Sequence, residues 1–143
     1  VEFGMSITCS DDSLAAFFEP YASANSKRLD CIKQAADLGI RTCVMAAPLV
    51  AGVYDTEERL WALFEAFAKA GVAHVNVDKL NLYPSVAASI SPIIRRHFPH
   101  LTDLYRRLLS KGTFAGEYWA QVRQRVEAAA KEAGLARITH PFL

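Results

Sequence analysis

The segment AADLGIRTCVMAAP, residues 35–48, decides the fold because a helix end, a glycine and a strand follow one another in it. Its alanine-rich part stops at Gly39, and glycine is the residue that most readily takes the left-handed conformation that ends a helix. The apolar run after it is typical of a strand. Two further segments repeat this order, AFAKAGVAHVNVDKL around Gly71 and AAAKEAGLARITHPF around Gly134. Repeated helix–glycine–strand units predict a parallel α/β architecture.

Apolar runs predict three strands, over residues 2–9, 40–48 and 72–82, and a weaker one over residues 135–140. Their near-continuous apolar character is typical of strands that are covered on both faces. The order predicts a partial (β/α) barrel of parallel strands alternating with helices, with extra C-terminal helices. We expect a single domain over residues 1–143, with barrel repeats up to residue 110 and a helix and the weaker strand after it.

Apolar side chains with the 3.6-residue period predict helices between and after these strands. One of them is expected to start with a capping box at Asp55, and the helix before it to start after Ser26. Residues 11–26 and 83–99 break the regular rhythm, so we expect long loops there, with a short helix that begins at Pro92. Loops that follow the carboxyl ends of strands carry the sites of α/β proteins.

The composition is 52% hydrophobic and 22% charged, with a net charge of +1, which is typical of soluble globular proteins. This balance does not favour a polyanionic or membrane partner. We expect no membrane partner either, since no apolar run approaches the roughly 20 residues of a membrane span. Cys9, Cys31 and Cys43 lack the spacing of metal sites, and their odd number favours a reducing compartment, the cytoplasm.

The carboxyl ends of parallel strands meet at one edge, which would bring together residues 8–11, 48–55 and 81–83. Their hydroxyl, backbone, amide and phenol groups suit a ligand with ribose and purine parts. They do not form a nucleophile–base–acid triad, so the catalytic residues stay unknown. The alternative is structural: Ser6 and Thr8 fill the sheet interior, Gly52 only turns the chain, and Asn81 caps the following loop.

Two other groups of polar residues are candidate sites. His97 and His100 are close in sequence, but no third ligand is near them, so no metal site is predicted. A basic stretch is interpreted as a solvated helix face, with contact to a phosphate backbone as the alternative. It consists of Arg95, Arg96, Arg106, Arg107 and Lys111.

The runs FFEPYASANSKRL, residues 17–29, and GIRTCVMAAPLVAGVYDTEE, residues 39–58, resemble the radical S-adenosylmethionine proteins related to spore photoproduct lyase. That group shows a Glu-Pro pair, an Arg-Leu pair that opens a helix, and a Gly-x-x-Asp turn after a strand. Tyr21 stands where the group commonly has arginine, and Ala51 where it commonly has a second proline. The resemblance covers residues 1–110, and its matching positions are Glu19, Pro20, Arg28, Leu29, Gly39, Ile40, Pro48, Leu49, Val50, Gly52 and Asp55.

The resemblance implies that the three main strands are the fourth to sixth strands of the family's barrel. The first would contact the ribose of S-adenosylmethionine, the second would carry a motif beside the adenine, and the third would end next to them. The cofactor-binding residues that it implies are Ser6, Thr8, Leu49, Gly52, Asn81 and Tyr83.

The family holds a [4Fe–4S] cluster with a CxxxCxxC loop after its first strand, because thiolates are the ligands of such clusters. This chain has no such loop, and its three cysteines cannot replace it. The resemblance therefore implies the C-terminal half of the barrel of a lyase-like enzyme, inactive without the N-terminal half that is its expected partner.

Half a barrel leaves two open sheet edges and an uncovered interior face, so we also expect the chain to form homo-oligomers. A nucleic acid substrate follows from the resemblance by analogy alone. The alternative function is that of an unrelated α/β protein that binds a small molecule, or of a non-catalytic interaction domain.

Overall fold

The computed structural model describes residues 1–140 as strands and helices in alternation. Residues 141–143, the end of the predicted C-terminal unit, lie outside the described residues. The strands are β1 (Glu2–Ser6), β2 (Arg41–Leu49), β3 (His74–Lys79) and β4 (Ile138–Thr139). The helices are α1 (Asp12–Ala15), α2 (Asn25–Asp37), α3 (Glu57–Lys69), α4 (Pro84–His97), α5 (Thr102–Leu108) and α6 (Phe114–Glu132), with a 3-10 turn at Pro99–Leu101 before α5.

The four strands form one sheet in the order β1-β2-β3-β4, and each neighbouring pair is parallel. This confirms the predicted α/β class and the alternation of parallel strands with helices. Strands that follow in sequence order through helical crossovers place those crossovers on one face of the sheet, as in (β/α) barrels. The fold is therefore a partial (β/α) unit.

Burial differs between the two faces of the sheet. Val44 and Val75 point to the helices and are fully buried, whereas Met45 on the other face is 43% exposed. For the part of the chain that the structure describes, the cover of both faces inferred from the apolar character of the strands is therefore wrong, and the uncovered face expected for half a barrel is present. We call this second face the open face, and it carries Gly4, Ser6, Cys43, Met45, His74 and Asn76.

The core lies on the helical side of the sheet. Phe64 and Phe67 of α3 and Val122 and Val126 of α6 are all fully buried, because these two helices pack against each other. Burial of each such side chain contributes about 1.5–3 kcal/mol. This packing fixes the sheet from one side and so determines where its carboxyl edge lies.

The three glycines that link helix to strand have the predicted conformation. Gly39, Gly71 and Gly134 have φ values of 75°, 73° and 73°. The N–H of Gly39 donates to the carbonyl oxygen of Ala36 at 2.9 Å, so it closes the end of α2.

The predicted starts of two helices are wrong. Helix α3 begins at Glu57 after Thr56, and Asp55 makes no cap, because its carboxylate accepts hydrogen bonds from Gly52 and a tyrosine of α6 instead. Helix α2 begins at Asn25, so Ser26 lies inside its first turn.

The segment 83–99 is a long helix and not the predicted loop. Helix α4 begins at Pro84 and continues through Pro92, where a short helix was expected to start. Proline fits the first turn of a helix because no N–H is needed there. Pro92 removes one helical hydrogen bond, to the carbonyl oxygen of Ala88, and both residues are exposed, so water can replace that bond.

Candidate functional site at the carboxyl edge of the sheet

A cavity of about 190 Å³ lies where β1, β2 and β3 end. Its polar end is formed by Thr8, Glu19 and Tyr54. The cavity is smaller than the pockets of about 300–1,000 Å³ that bury drug-sized ligands, so it suits a small molecule or part of a larger one. Its other walls are mostly apolar and come from Phe18, Pro48, Val50, Leu80, Val86, Ser89, Ile90 and Ile93.

A chain of hydrogen bonds organises the polar end of the cavity. The hydroxyl of Thr8 donates to Glu19 Oε2 at 3.0 Å and accepts from Asn25 Nδ2 at 3.2 Å. Arg28 lies 3.9 Å from the Glu19 carboxylate and donates to the carbonyl oxygen of Ser6 at 2.8 Å. The Glu19 carboxylate is thus held beside the cavity, and the Arg28 guanidinium lies next to it.

The loop that carries Glu19 is tied to α1 and α2. Asp11 caps α1 by accepting from the N–H of Leu14 at 3.1 Å. Asp12 accepts from the N–H of Ser26 at 3.0 Å and from its hydroxyl at 2.5 Å. The two hydrogen bonds from Ser26 lower the pKa of Asp12, so they are charge-assisted bonds to an ionised carboxylate at neutral pH.

Two buried polar atoms beside the cavity have no hydrogen-bond partner within residues 1–140, Tyr54 Oη and Asn25 Oδ1. Tyr54 is 1% exposed and Asn25 2%. The Tyr54 hydroxyl lies near Thr8 and Cys9 without forming a hydrogen bond of good geometry. Burial raises its pKa, so the hydroxyl stays protonated. Unpaired buried polar atoms cost about 1–3 kcal/mol, which a bound ligand could offset by pairing with them.

The Cys9 thiol lies next to this polar end but is poorly suited to nucleophilic chemistry. It is buried and donates to the carbonyl oxygen of Asp11 at 3.1 Å. Burial raises its pKa, and the thiolate is the reactive form of cysteine.

A second buried network supports the turn that carries Tyr54. Asp55 is fully buried and accepts from the N–H of Gly52 at 2.8 Å and the hydroxyl of Tyr118 at 2.6 Å. Arg125 donates to the carbonyl oxygen of Asp55 at 2.7 Å. Burial raises the pKa of the Asp55 carboxyl, and the bonds from Tyr118 and Gly52 partly oppose this. This network anchors the turn to α6.

The structure brings only one of the six predicted cofactor-binding residues, Thr8, to the cavity wall. Ser6 is exposed at the end of β1 on the open face. Leu49 is fully buried, and Gly52 is in the buried turn, where its N–H is already bonded. Asn81 and Tyr83 lie outside the cavity, in the exposed connection from β3 to α4.

Sequence reasoning did not select Asn25 and Tyr54 as site residues, and it used Glu19 and Arg28 only as marks of the resemblance. Asn25 was missed because the predicted helix, which follows Ser26, starts two residues too late. Tyr54 lies in the Gly-x-x-Asp turn, which was a signal for the site, but the direction of its side chain could not be read from the sequence.

The described residues do not fit an iron–sulfur cluster. Within residues 1–140 no three His, Cys, Asp or Glu side chains are grouped so that they could hold a metal ion. Cys9 is buried, Cys31 is exposed on α2, and Cys43 lies on the open face, where it accepts a hydrogen bond from Asn76 at 3.6 Å. The His97 ring contacts the Phe17 ring in a tilted arrangement, with 4.5 Å between the ring centres.

Comparisons of this chain with protein-family models, curated proteins and solved structures find no match. Among the helices of residues 1–140, none has the length and apolar character to cross a membrane.

Proposed function

We propose that this chain is the S-adenosylmethionine-binding part of a radical enzyme, lyase-like in its chemistry. The observation that carries this proposal is a largely apolar cavity with a hydrogen-bonded polar end, located at the carboxyl edge of a partial (β/α) unit. The sequence resemblance to radical S-adenosylmethionine proteins supports it.

The donor and acceptor set suits the adenosine part of that cofactor. Pro48, Val50 and Leu80 would pack against the flat adenine ring. Thr8 and Glu19 would bind the ribose hydroxyls. The buried Tyr54 hydroxyl would pair with the ligand once its side chain shifts toward the cavity. The cavity is too small for the whole cofactor, so we expect only the adenosine part to enter it.

S-Adenosylmethionine supplies the radical chemistry in such enzymes when an iron–sulfur cluster reduces it. This chain does not fit the cluster, so that step belongs to the N-terminal half that we propose as its partner. The contribution of this chain is to bind and orient the adenosine part. Its free cysteines agree with a reducing cytoplasm as its compartment.

Titration of adenosine into this chain, followed by amide NMR shifts, tests the proposal. We expect Thr8→Val and Tyr54→Phe each to weaken binding by about tenfold, because each removes a hydrogen bond to the ligand. Thr56→Val is the control, since Thr56 makes no side-chain cap bond and lies outside the cavity wall. Binding that none of these changes affects would contradict the proposal.

The coding sequence gives a second test. A CxxxCxxC motif encoded upstream of Val1 is the expected result. A start codon next to Val1 without such a motif would contradict the assignment to a radical enzyme.

The apolar walls favour one alternative, an unrelated α/β protein that binds a small molecule with an apolar body. Phe18, Ile90 and Ile93 would surround that body, and Thr8 would bind its polar head. Tighter binding of such a compound than of adenosine would favour this alternative.

A further inference from the structure

A groove between α4 and α5 lies on the side of α4 that faces away from the cavity. We propose that this groove binds a phosphate-bearing ligand. The proposal is independent of S-adenosylmethionine binding, because the groove and the cavity have no lining residue in common.

The groove has a volume of about 240 Å³ and an arginine on each wall, Arg95 from α4 and Arg106 from α5. Thr102 adds a hydroxyl on one side, and Ser91 lies on the other with its own hydroxyl donating to the carbonyl oxygen of Ala87 at 2.6 Å. Guanidinium groups bind phosphate oxygens through paired, charge-assisted hydrogen bonds, and hydroxyls complete such a set. Apolar side chains of Ile94 and Leu109, with the ring of Tyr105, form the rest of the lining.

These cations are available to a ligand. Arg95 has no carboxylate partner within residues 1–140. Arg106 forms an ion pair with Asp103 through one terminal nitrogen, and a guanidinium has five N–H donors, so others remain. The Thr102 hydroxyl makes no hydrogen bond among the described side chains.

The surroundings of the groove are basic, although the chain as a whole is nearly neutral. Residues 84–116 hold five Lys and Arg side chains and one carboxylate, Asp103, which gives a local net charge of +4. The whole chain has a net charge of +1, so the residues outside 84–116 together carry −3. Such separation concentrates positive potential on α4 and α5 and attracts anions to them.

One wall of the groove is held rigidly by the core. Tyr105 is 5% exposed, and its hydroxyl donates to the carbonyl oxygen of Ala51 at 3.1 Å. Because α5 is fixed to the turn after β2, Arg106 starts from a stable backbone position, which reduces the entropy cost of binding.

The test is titration of this chain with inorganic pyrophosphate and, separately, with a fluorescein-labelled single-stranded DNA 12-mer. Amide NMR shifts locate the pyrophosphate site, and fluorescence anisotropy measures DNA binding. The double variant Arg95→Gln/Arg106→Gln should weaken binding by at least about tenfold, because each guanidinium makes charge-assisted bonds. Arg123→Gln on α6 is the matched control, since Arg123 is an exposed arginine outside the groove.

Pyrophosphate binding that shifts Ser91 and Thr102 and is lost in the double variant would support a small phosphate compound as the ligand. DNA binding that is tighter than pyrophosphate binding and is lost in the same variant would support a polynucleotide backbone as the source of the phosphate. The proposal is overturned if neither probe binds at millimolar concentration. It is also overturned if the Arg123→Gln control loses binding to the same extent. Circular dichroism confirms that each variant is folded.

Discussion

Tyr54 and Tyr105 are both buried tyrosines, but only the Tyr105 hydroxyl has a hydrogen-bond partner among the described residues. Tyr54→Phe removes an unpaired polar atom, so we expect the free energy of unfolding without ligand to rise by about 1 kcal/mol. Tyr105→Phe leaves the carbonyl oxygen of Ala51 unpaired and should lower it by about 1 kcal/mol. Urea denaturation measures the free energy of unfolding of both variants. If Tyr54→Phe lowers it as much as Tyr105→Phe does, the Tyr54 hydroxyl is paired in solution.

Asp55 is predicted to make stability depend on pH in an unusual direction. Burial raises the pKa of the Asp55 carboxyl above the ordinary 3.8. The contribution of Asp55 to folding stability is therefore complete below pH 3.8 and is lost as the pH rises through the higher folded-state pKa. Asp55→Asn keeps an acceptor for Gly52 but does not titrate. We therefore expect the difference in unfolding free energy, wild type minus variant, to fall between pH 4 and pH 7, by at most about 1.4 kcal/mol per pH unit.

Urea denaturation of both proteins at several pH values in that range checks this expectation. A difference that grows with pH would mean that the bonds from Gly52 and Tyr118 outweigh burial and that the carboxyl pKa is lowered.

The candidate site could be predicted only in part at the level of residues. Thr8 was found because it ends a strand on the predicted active edge, and polar residues there are informative. Gly52 was selected from a motif, but its N–H bonds within its own turn and to Tyr118 in α6, which is distant in sequence. Partners so far apart along the chain cannot be recognised from local patterns.

The elements were predictable where local signals agree. The predictions that helices end at Gly39, Gly71 and Gly134 are confirmed, because glycine conformation is a local property. Most of helix α4 was missed because the prolines of residues 83–99 favoured a loop and Pro92 was interpreted as the start of a short helix. The helix in fact begins at Pro84, and Pro92 lies inside it on the exposed side.

The junctions between helix and strand give a matched pair of variants. Gly39 and Gly71 both have positive φ, but an added Cβ would meet nothing at Gly39 and would lie 3.0 Å from Ala36 Cβ at Gly71. Gly39→Ala should therefore lower the free energy of unfolding by about 1–2 kcal/mol, the cost of the left-handed conformation. Gly71→Ala should lower the free energy of unfolding by a larger amount, because Ala36 has to move. Thermal or urea denaturation measures both, and equal losses would contradict the close approach of α2 to this junction.

At the scale of the whole molecule, the open face and the strands β1 and β4 at the two sheet edges favour association. We expect this chain to self-associate at micromolar concentration through the open face, where Met45 is 43% exposed. Met45→Lys should shift the equilibrium to monomer, since it would place a charge in that interface. Trp61→Lys is the control, because Trp61 is 48% exposed on the helical side. Sedimentation velocity distinguishes the species, and a stable monomer of the unmodified chain would contradict this expectation.

Parallel titrations of S-adenosylmethionine and adenosine into the unmodified chain test the central claim most directly. The amino and carboxylate groups of the cofactor normally bind the cluster iron, and the described residues do not fit a cluster. The two compounds should therefore bind weakly and with dissociation constants within about threefold of each other. Binding of S-adenosylmethionine that is more than about tenfold tighter than that of adenosine, or no binding of either compound, would contradict the claim.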